Sequence, residues 1–97
     1  MLSQVHYLIR SRIDGQYLVA RLNTGESDTE ANYLLIFRED FEALSYLNKH
    51  GADVANRFAV ESIAATQLSG LLQRWGFKGV GLVQDPLEPR IQFLSYE

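Results

Sequence analysis

Arg10, Arg12 and Arg21, with His6 and Tyr17 among them, are the densest set of side chains in the first quarter of the chain that could grip a ligand. Guanidinium groups offer planar pairs of donors that fit phosphate and carboxylate oxygens. Spacing decides whether these residues can act together. Asp14-Gly15 is a strong hairpin signal between Val5–Ile13 and Gln16–Leu22, because both turn residues tolerate positive φ. With those two residues as the turn, Ile13 faces Gln16, Ser11 faces Leu18, Ile9 faces Ala20 and Tyr7 faces Leu22. Tyr7, Ile9, Ile13, Leu18, Ala20 and Leu22 then share one side of the ribbon. The other side receives His6, Leu8, Arg10, Arg12, Tyr17, Val19 and Arg21, because side chains alternate along a strand. A face of this kind is commonly solvated and kept soluble by its charges. Leu8 and Val19 ringed by arginine also suit a dimer or partner surface. The expected partner surface is therefore Leu8, Arg10, Arg12, Tyr17, Val19 and Arg21.

A second set is Lys78-Gly79-Val80-Gly81-Leu82-Val83, which has the outline of the octamer of RNA-recognition motifs. That chemistry needs aromatic platforms on which bases stack. Val80 and Leu82 hold the platform positions, and the chain opens on a hairpin where that module opens β-α-β. A glycine-spaced core strand packing closely under a helix is the stronger reading.

The remaining candidates are weaker. His6 and His50 have no ligand at local metal-binding spacing, and His50 suits a helix C-terminus. Glu26-Ser27-Asp28-Thr29-Glu30 has carboxylates but lacks the spacing and terminal bidentate glutamate of a calcium loop. No nucleophile elbow or oxyanion loop is visible. The expectation is no catalytic residue, no metal and no cofactor, with enzyme activity left open as the lesser reading.

Composition sets the frame. The chain has 97 residues, 46% hydrophobic and 22% charged, which suits one globular domain spanning 1–97. Cysteine is absent, which removes disulfides and thiolate chemistry and fits a reducing compartment. The first residues lack the basic and apolar regions of a secretion signal, and no apolar run is long enough to span a membrane. A cytoplasmic protein is expected. A net charge of −3 argues against attraction to nucleic acid or anionic lipid. The charge is uneven: residues 1–21 carry a net +2 and residues 22–42 a net −5.

The elements that position these groups follow in order. Asn23–Asn32 reads as a polar surface loop. Tyr33-Leu34-Leu35-Ile36-Phe37 is continuously apolar, the pattern of a strand covered on both sides. A helix follows, with Glu39, Asp40 and Glu42 at its start, Lys49 and His50 at its end and Gly51 at a left-handed cap. Phe41, Leu44 and Leu47 are its expected inner face, with Ala43 and Tyr46 at the margin. Arg57–Glu61 is a short strand. Leu68, Leu71, Leu72 and Trp75 mark a second helix that ends at Gly76. Gly79–Gln84 and Arg90–Tyr96 are strands joined by a turn that Pro86 and Pro89 stiffen. The order is β-β-β-α-β-α-β-β. The expected fold is a two-layer α+β sandwich, a mixed sheet of about six short strands carrying both helices on one face.

Residues 33–86 resemble the N-terminal part of SseB-like proteins of bacteria. The likeness rests on the apolar strand ending in Phe37, the acidic helix start, Gln67-Leu68-Ser69-Gly70-Leu71-Leu72, and Gly79–Val83 running into Asp85-Pro86. It departs at Gln84-Asp85-Pro86, where an asparagine before the proline would be expected. In length and style the chain is also similar to small uncharacterised single-domain proteins of cyanobacterial type. The resemblance implies protein interaction and transfers no functional residue.

The leading functional expectation is self-association, as a homodimer, or binding to another protein through the sheet surface the helices leave free. The alternative is a small ligand-binding domain or enzyme with a pocket between sheet and helices, near the ends of Tyr33–Phe37 and Gly79–Gln84. Single-stranded RNA binding comes third.

Overall fold

The computed structural model describes residues 5–23, 30–85, 87–88 and 90–95. Six strands, β1 (Val5–Ser11), β2 (Val19–Asn23), β3 (Glu30–Phe37), β4 (Phe58–Ala64), β5 (Gly79–Asp85) and β6 (Arg90–Ser95), form one mixed sheet. Two helices, α1 (Asp40–His50) and α2 (Ala65–Trp75), accompany it, with a 3₁₀ segment at Ala52–Arg57. The α+β class, element order, mixed sheet and two helices are those expected from the sequence. Tyr96 lies outside the described residues, as do positions 24–29 of the expected loop.

β3 is the centre. Its five apolar residues Tyr33–Phe37 are all buried. Leu34 and Ile36 pack with Leu8, Ile63 and Val80 against Leu71 and Leu72 of α2. Leu35 and Phe37 pack with Ile9 and Val83 against Ala43 and Leu47 of α1. Neighbouring residues of a strand point to opposite faces, so α2 lies on one face of the sheet and α1 on the other. The expectation that both helices share one face is corrected here.

Topology supplies the reason. The strand order is β4-β1-β3-β5-β6, and β2 also pairs with β3. β1 is antiparallel to both β3 and β4, and β5 is parallel to β3, so β3, β4 and β5 run the same way. The β3-α1-β4 crossover moves toward one edge, and β4-α2-β5 moves back toward the other. Crossovers of the usual right hand that travel in opposite directions put their helices on opposite faces.

The first two strands depart further from the expected hairpin. Arg10 bridges Tyr17, Ser11 N–H donates to Gln16 O (2.8 Å) and Leu18 N–H donates to Ile9 O (2.9 Å). This register is slipped by two residues, and the loop is Arg12–Gly15. Leu18 O then accepts Leu35 N–H (3.2 Å), and Val19–Asn23 pairs antiparallel with β3. A straight segment cannot run antiparallel to two strands that are antiparallel to each other. The chain therefore turns at Leu18, in the fork where β1 and β3 part beyond the Tyr7–Phe37 pair. A slip of two keeps every side chain on its face. Tyr7, Ile9, Leu18 and Ala20 accordingly belong to the α1-side core, as the alternation requires.

Two local expectations also change. Gly51 has φ −154°, so it is not a left-handed cap, whereas Gly76 has φ +70° and is one. On α1 the buried residues are Ala43 and Leu47, while Phe41 and Leu44 are 61% and 50% exposed. The helix is turned so that Ala43, small enough for close approach, meets the sheet.

The glycines of β5 serve packing, though under neighbouring strands and not under a helix. A Cβ on Gly81 would stand 3.0 Å from Ile91 Cγ2, 3.1 Å from Leu35 Cδ2 and 3.3 Å from Phe93 Cε1. One on Gly79 would run into the Leu94 carbonyl.

Candidate functional site

α2 crosses one face of the sheet and leaves a depression on each flank. Between α2 and the β5–β6 edge runs an open groove of about 420 Å³. Ile36, Val80 and Leu82 lie on its sheet side, and Leu68 and Leu72 of α2 form a wall. Leu94 of β6 forms the other and is 45% exposed. His6, Ala65 and Thr66 lie toward the end where β3 finishes, since Tyr7 pairs with Phe37. Among the described residues, no Asp, Glu, Lys or Arg lines the groove.

His6, Thr66 and Ser69 are the polar residues of its lining. The His6 Nδ1 is buried with no hydrogen-bond partner among the described residues. Leaving such an atom unpaired costs about 1–3 kcal/mol.

The opposite flank is polar. Glu61, Ser62, Gln67 and Arg74 border a depression of about 360 Å³ over Leu8 and Leu71. Gly70 also borders it, and a Cβ there would meet nothing within 4 Å. At the C-terminal end of α2, Trp75 meets Tyr17 edge-on with ring centroids 4.9 Å apart and stacks on Phe77 at 6.0 Å. A shallow hollow of about 210 Å³ beside them is bordered by Val19, Arg21 and Asn32.

The residues expected to form a partner surface occupy one face of the sheet, but α2 lies on that face. Leu8 is 2% exposed beneath it and belongs to the core, so its place in a contact surface is corrected. Arg10 braces the loop: its Nε donates to Gly15 O (2.8 Å), its guanidinium lies 4.8 Å from the Tyr17 ring centroid and Nη1 is 3.8 Å from Glu61. Arg12 Nε donates to Phe58 O (3.2 Å), tying the same loop to β4. Tyr17 and Val19 are half-buried and Arg21 is exposed. Tyr17, Val19 and Arg21 stand beside Trp75 at the end of α2, while Arg10 and Arg12 hold the loop between β1 and β2.

The glycine-spaced strand has the geometry of a core strand. Val80 is 8% exposed, and Leu82 looks into the groove. Among the described residues no group of three or more His, Asp or Glu comes together at metal-binding distance. Two carboxyls are held below the usual carboxylate range. Asp14 accepts the Gln16 N–H (3.1 Å) and is hydrogen-bonded by Ser11, and Asp85 accepts the N–H groups of Glu88 (3.2 Å) and Leu87 (3.0 Å). Both are turn braces. Burial raises the Tyr46 phenol, which packs edge-on to Phe37.

The alternative expectation put a pocket between sheet and helices near the ends of β3 and β5; the groove runs instead along Val80 and Leu82 of β5, with Ile36 of β3, beside α2. Sequence reading missed Leu68, Leu94 and His6 as its walls. Their signal was alternation in β6, which puts Leu94 and Gln92 on one face, but its meaning depended on which face α2 occupied.

No known protein family matches the chain, and no curated protein matches it. Neither comparison supports the resemblance to SseB-like domains. A solved structure described as Anabaena Tic22 (protein transport) is similar in fold, with a TM-score of 0.55 and 17% sequence identity. The match covers 91% of this chain and 38% of the Tic22 chain, so this chain spans well under half of that protein. Among the described residues no helix is long and apolar enough to cross a membrane.

Proposed function

We propose that this domain is a protein-interaction module that holds an apolar segment of another polypeptide in the groove between α2 and β6. The observation that carries the reading is an open groove, uncharged among the described residues, floored by core residues of the sheet and walled by the exposed Leu94. A concave apolar surface left open between elements is the usual form of a binding site, and here Leu94 is its exposed edge. The fold likeness to a protein described by its role in protein transport is of the same kind.

Fluorescence anisotropy with labelled ten-residue peptides graded from polar to leucine-rich tests the proposal. Affinity is expected to rise with apolar content and to fall at least tenfold in Leu82→Glu and Leu68→Glu. Leu44→Glu, exposed on the opposite face, is expected to bind as wild type does. Equal binding by Leu82→Glu and wild type, with circular dichroism showing both folded, would contradict the reading.

The volume of the groove supports a second reading, an apolar small molecule, because ligand sites commonly span about 300–1,000 Å³. A thermal shift produced by medium-chain fatty acids, with none from any peptide, would favour it.

A further inference from the structure

We infer that the polypeptide segment binds as an added strand, hydrogen-bonded to the open edge of β6. This rests on the groove reading above and specifies how its occupant is held. β6 pairs with β5 on one side only and stands at the end of the sheet.

The direction of its backbone groups can be read from Gly79. A Cβ on Gly79 would strike the Leu94 carbonyl and stand 2.8 Å from Ser95 Cα, its pairing partner. Gly79 and Ser95 are therefore a close, non-hydrogen-bonded pair, and the Leu94 carbonyl points toward β5. In antiparallel pairing the N–H and C=O of one residue point to the same side, and successive residues alternate. Gln92 and Leu94 thus bond inward, while Ile91, Phe93 and Ser95 direct their N–H and C=O groups outward. The register irregularity falls between Val83 and Asp85, so the alternation is unbroken from Ile91 to Ser95. These outward groups have no backbone partner among the described residues.

Edges of this kind are ordinarily defended by charge, proline or a bulge. β6 carries a charge only at its first residue, Arg90, and Ile91–Ser95 contains neither charge nor proline, whereas β4, the opposite edge, has Glu61 at its centre. An undefended edge beside an apolar groove is the arrangement by which peptides are captured through strand addition. Residues of the added strand opposite Gln92 and Leu94 would project on the groove side. Those opposite Ile91 and Phe93 would project beside Phe93, which is 37% exposed.

The occupant is accordingly an extended segment of five or six residues from another polypeptide. It carries uncharged apolar side chains at alternate positions, to match a groove uncharged among the described residues, and it lacks proline. A second copy of this chain fits less well. Two-fold pairing about Phe93, the register that engages all of Ile91–Ser95, would set Gln92 against Leu94 of the copy, placing a polar side chain beside the apolar groove.

The test is amide hydrogen exchange by NMR with two probes. One is an eight-residue peptide of alternating threonine and valine with lysine at each end, and the other is the same peptide N-methylated at every central residue. The first is expected to slow exchange at Ile91, Phe93 and Ser95 at least tenfold, and to leave Gln92 and Leu94 little changed. The methylated peptide should give no protection. Shifts of the Leu68 and Leu82 methyls by either this peptide or a leucine-rich one, without protection of the three amides, would overturn strand addition and leave the groove reading standing. No response to any peptide would overturn both. Protection that rises with protein concentration in the absence of peptide would identify a second copy as the occupant and overturn this one.

Discussion

Gly70 and Gly79 show how differently one residue type can be used within a short span. Gly70 sits in the interior of α2 with open space where a Cβ would go, so nothing among the described residues requires it. Gly70→Ala is expected to raise stability by about 1 kcal/mol, the usual helix-interior difference between the two residues, in urea unfolding. Gly79→Ala meets the Leu94 backbone and is expected to lower stability by roughly 1–3 kcal/mol, as overpacking does. Asp14 and Asp85 act through charge. Their carboxyls are held below 3.8 in the folded protein by N–H donors within their turns. A depressed folded value stabilises above the unfolded pKa, and that contribution disappears as pH falls from about 3.8 through the lower folded value. The double variant Asp14→Asn, Asp85→Asn keeps the acceptor oxygens and is expected to lose stability less steeply than wild type across that window, measured by thermal unfolding at stepped pH. At this scale the turn residues were legible in the sequence. The arginines were not, because a guanidinium that braces Gly15 or Phe58 carries the same sequence signal as one that binds a ligand.

Among the elements, β3 was plain from five consecutive apolar residues, and α2 from its regular spacing. α1 was harder. Phe41, Leu44 and Leu47 suggested a face by hydrophobicity, but the sheet below selects by shape and takes Ala43 and Leu47. Leu47→Ala is therefore expected to cost about 2–5 kcal/mol, while Phe41→Lys and Leu44→Lys change stability by no more than about 0.5 kcal/mol. Chemical denaturation of the three variants separates the two orientations of the helix. The turn between β1 and β2 was misread for a related reason. Asp14-Gly15 favours a two-residue loop locally, and the bonds of Leu18 to both Ile9 and Leu35 hold a longer one. The identity of each face survived because the slip was even, so the core of the first two strands could be read even though their pairing could not.

At the scale of the whole molecule, the strand order decides what is exposed. Placing β4 at one edge and β5 beyond β3 sends the two crossovers in opposite directions, and one helix then lies on each face. Neither helix spans a five-strand width, so α2 leaves the β5–β6 margin open and the groove forms there. Sequence carries no direct record of strand order, and for that reason Leu8 was assigned to a free face of the ribbon while α2 covers it. The central claim is that this margin, and not the exposed Phe41–Leu44 patch of α1, receives a polypeptide. Methyl NMR of the leucines during titration with a leucine-rich peptide tests it most directly. The account predicts saturable shifts at Leu68, Leu82 and Leu94 with Leu44 and Leu47 unmoved. Shifts centred on Leu44, or none at the groove, would contradict it.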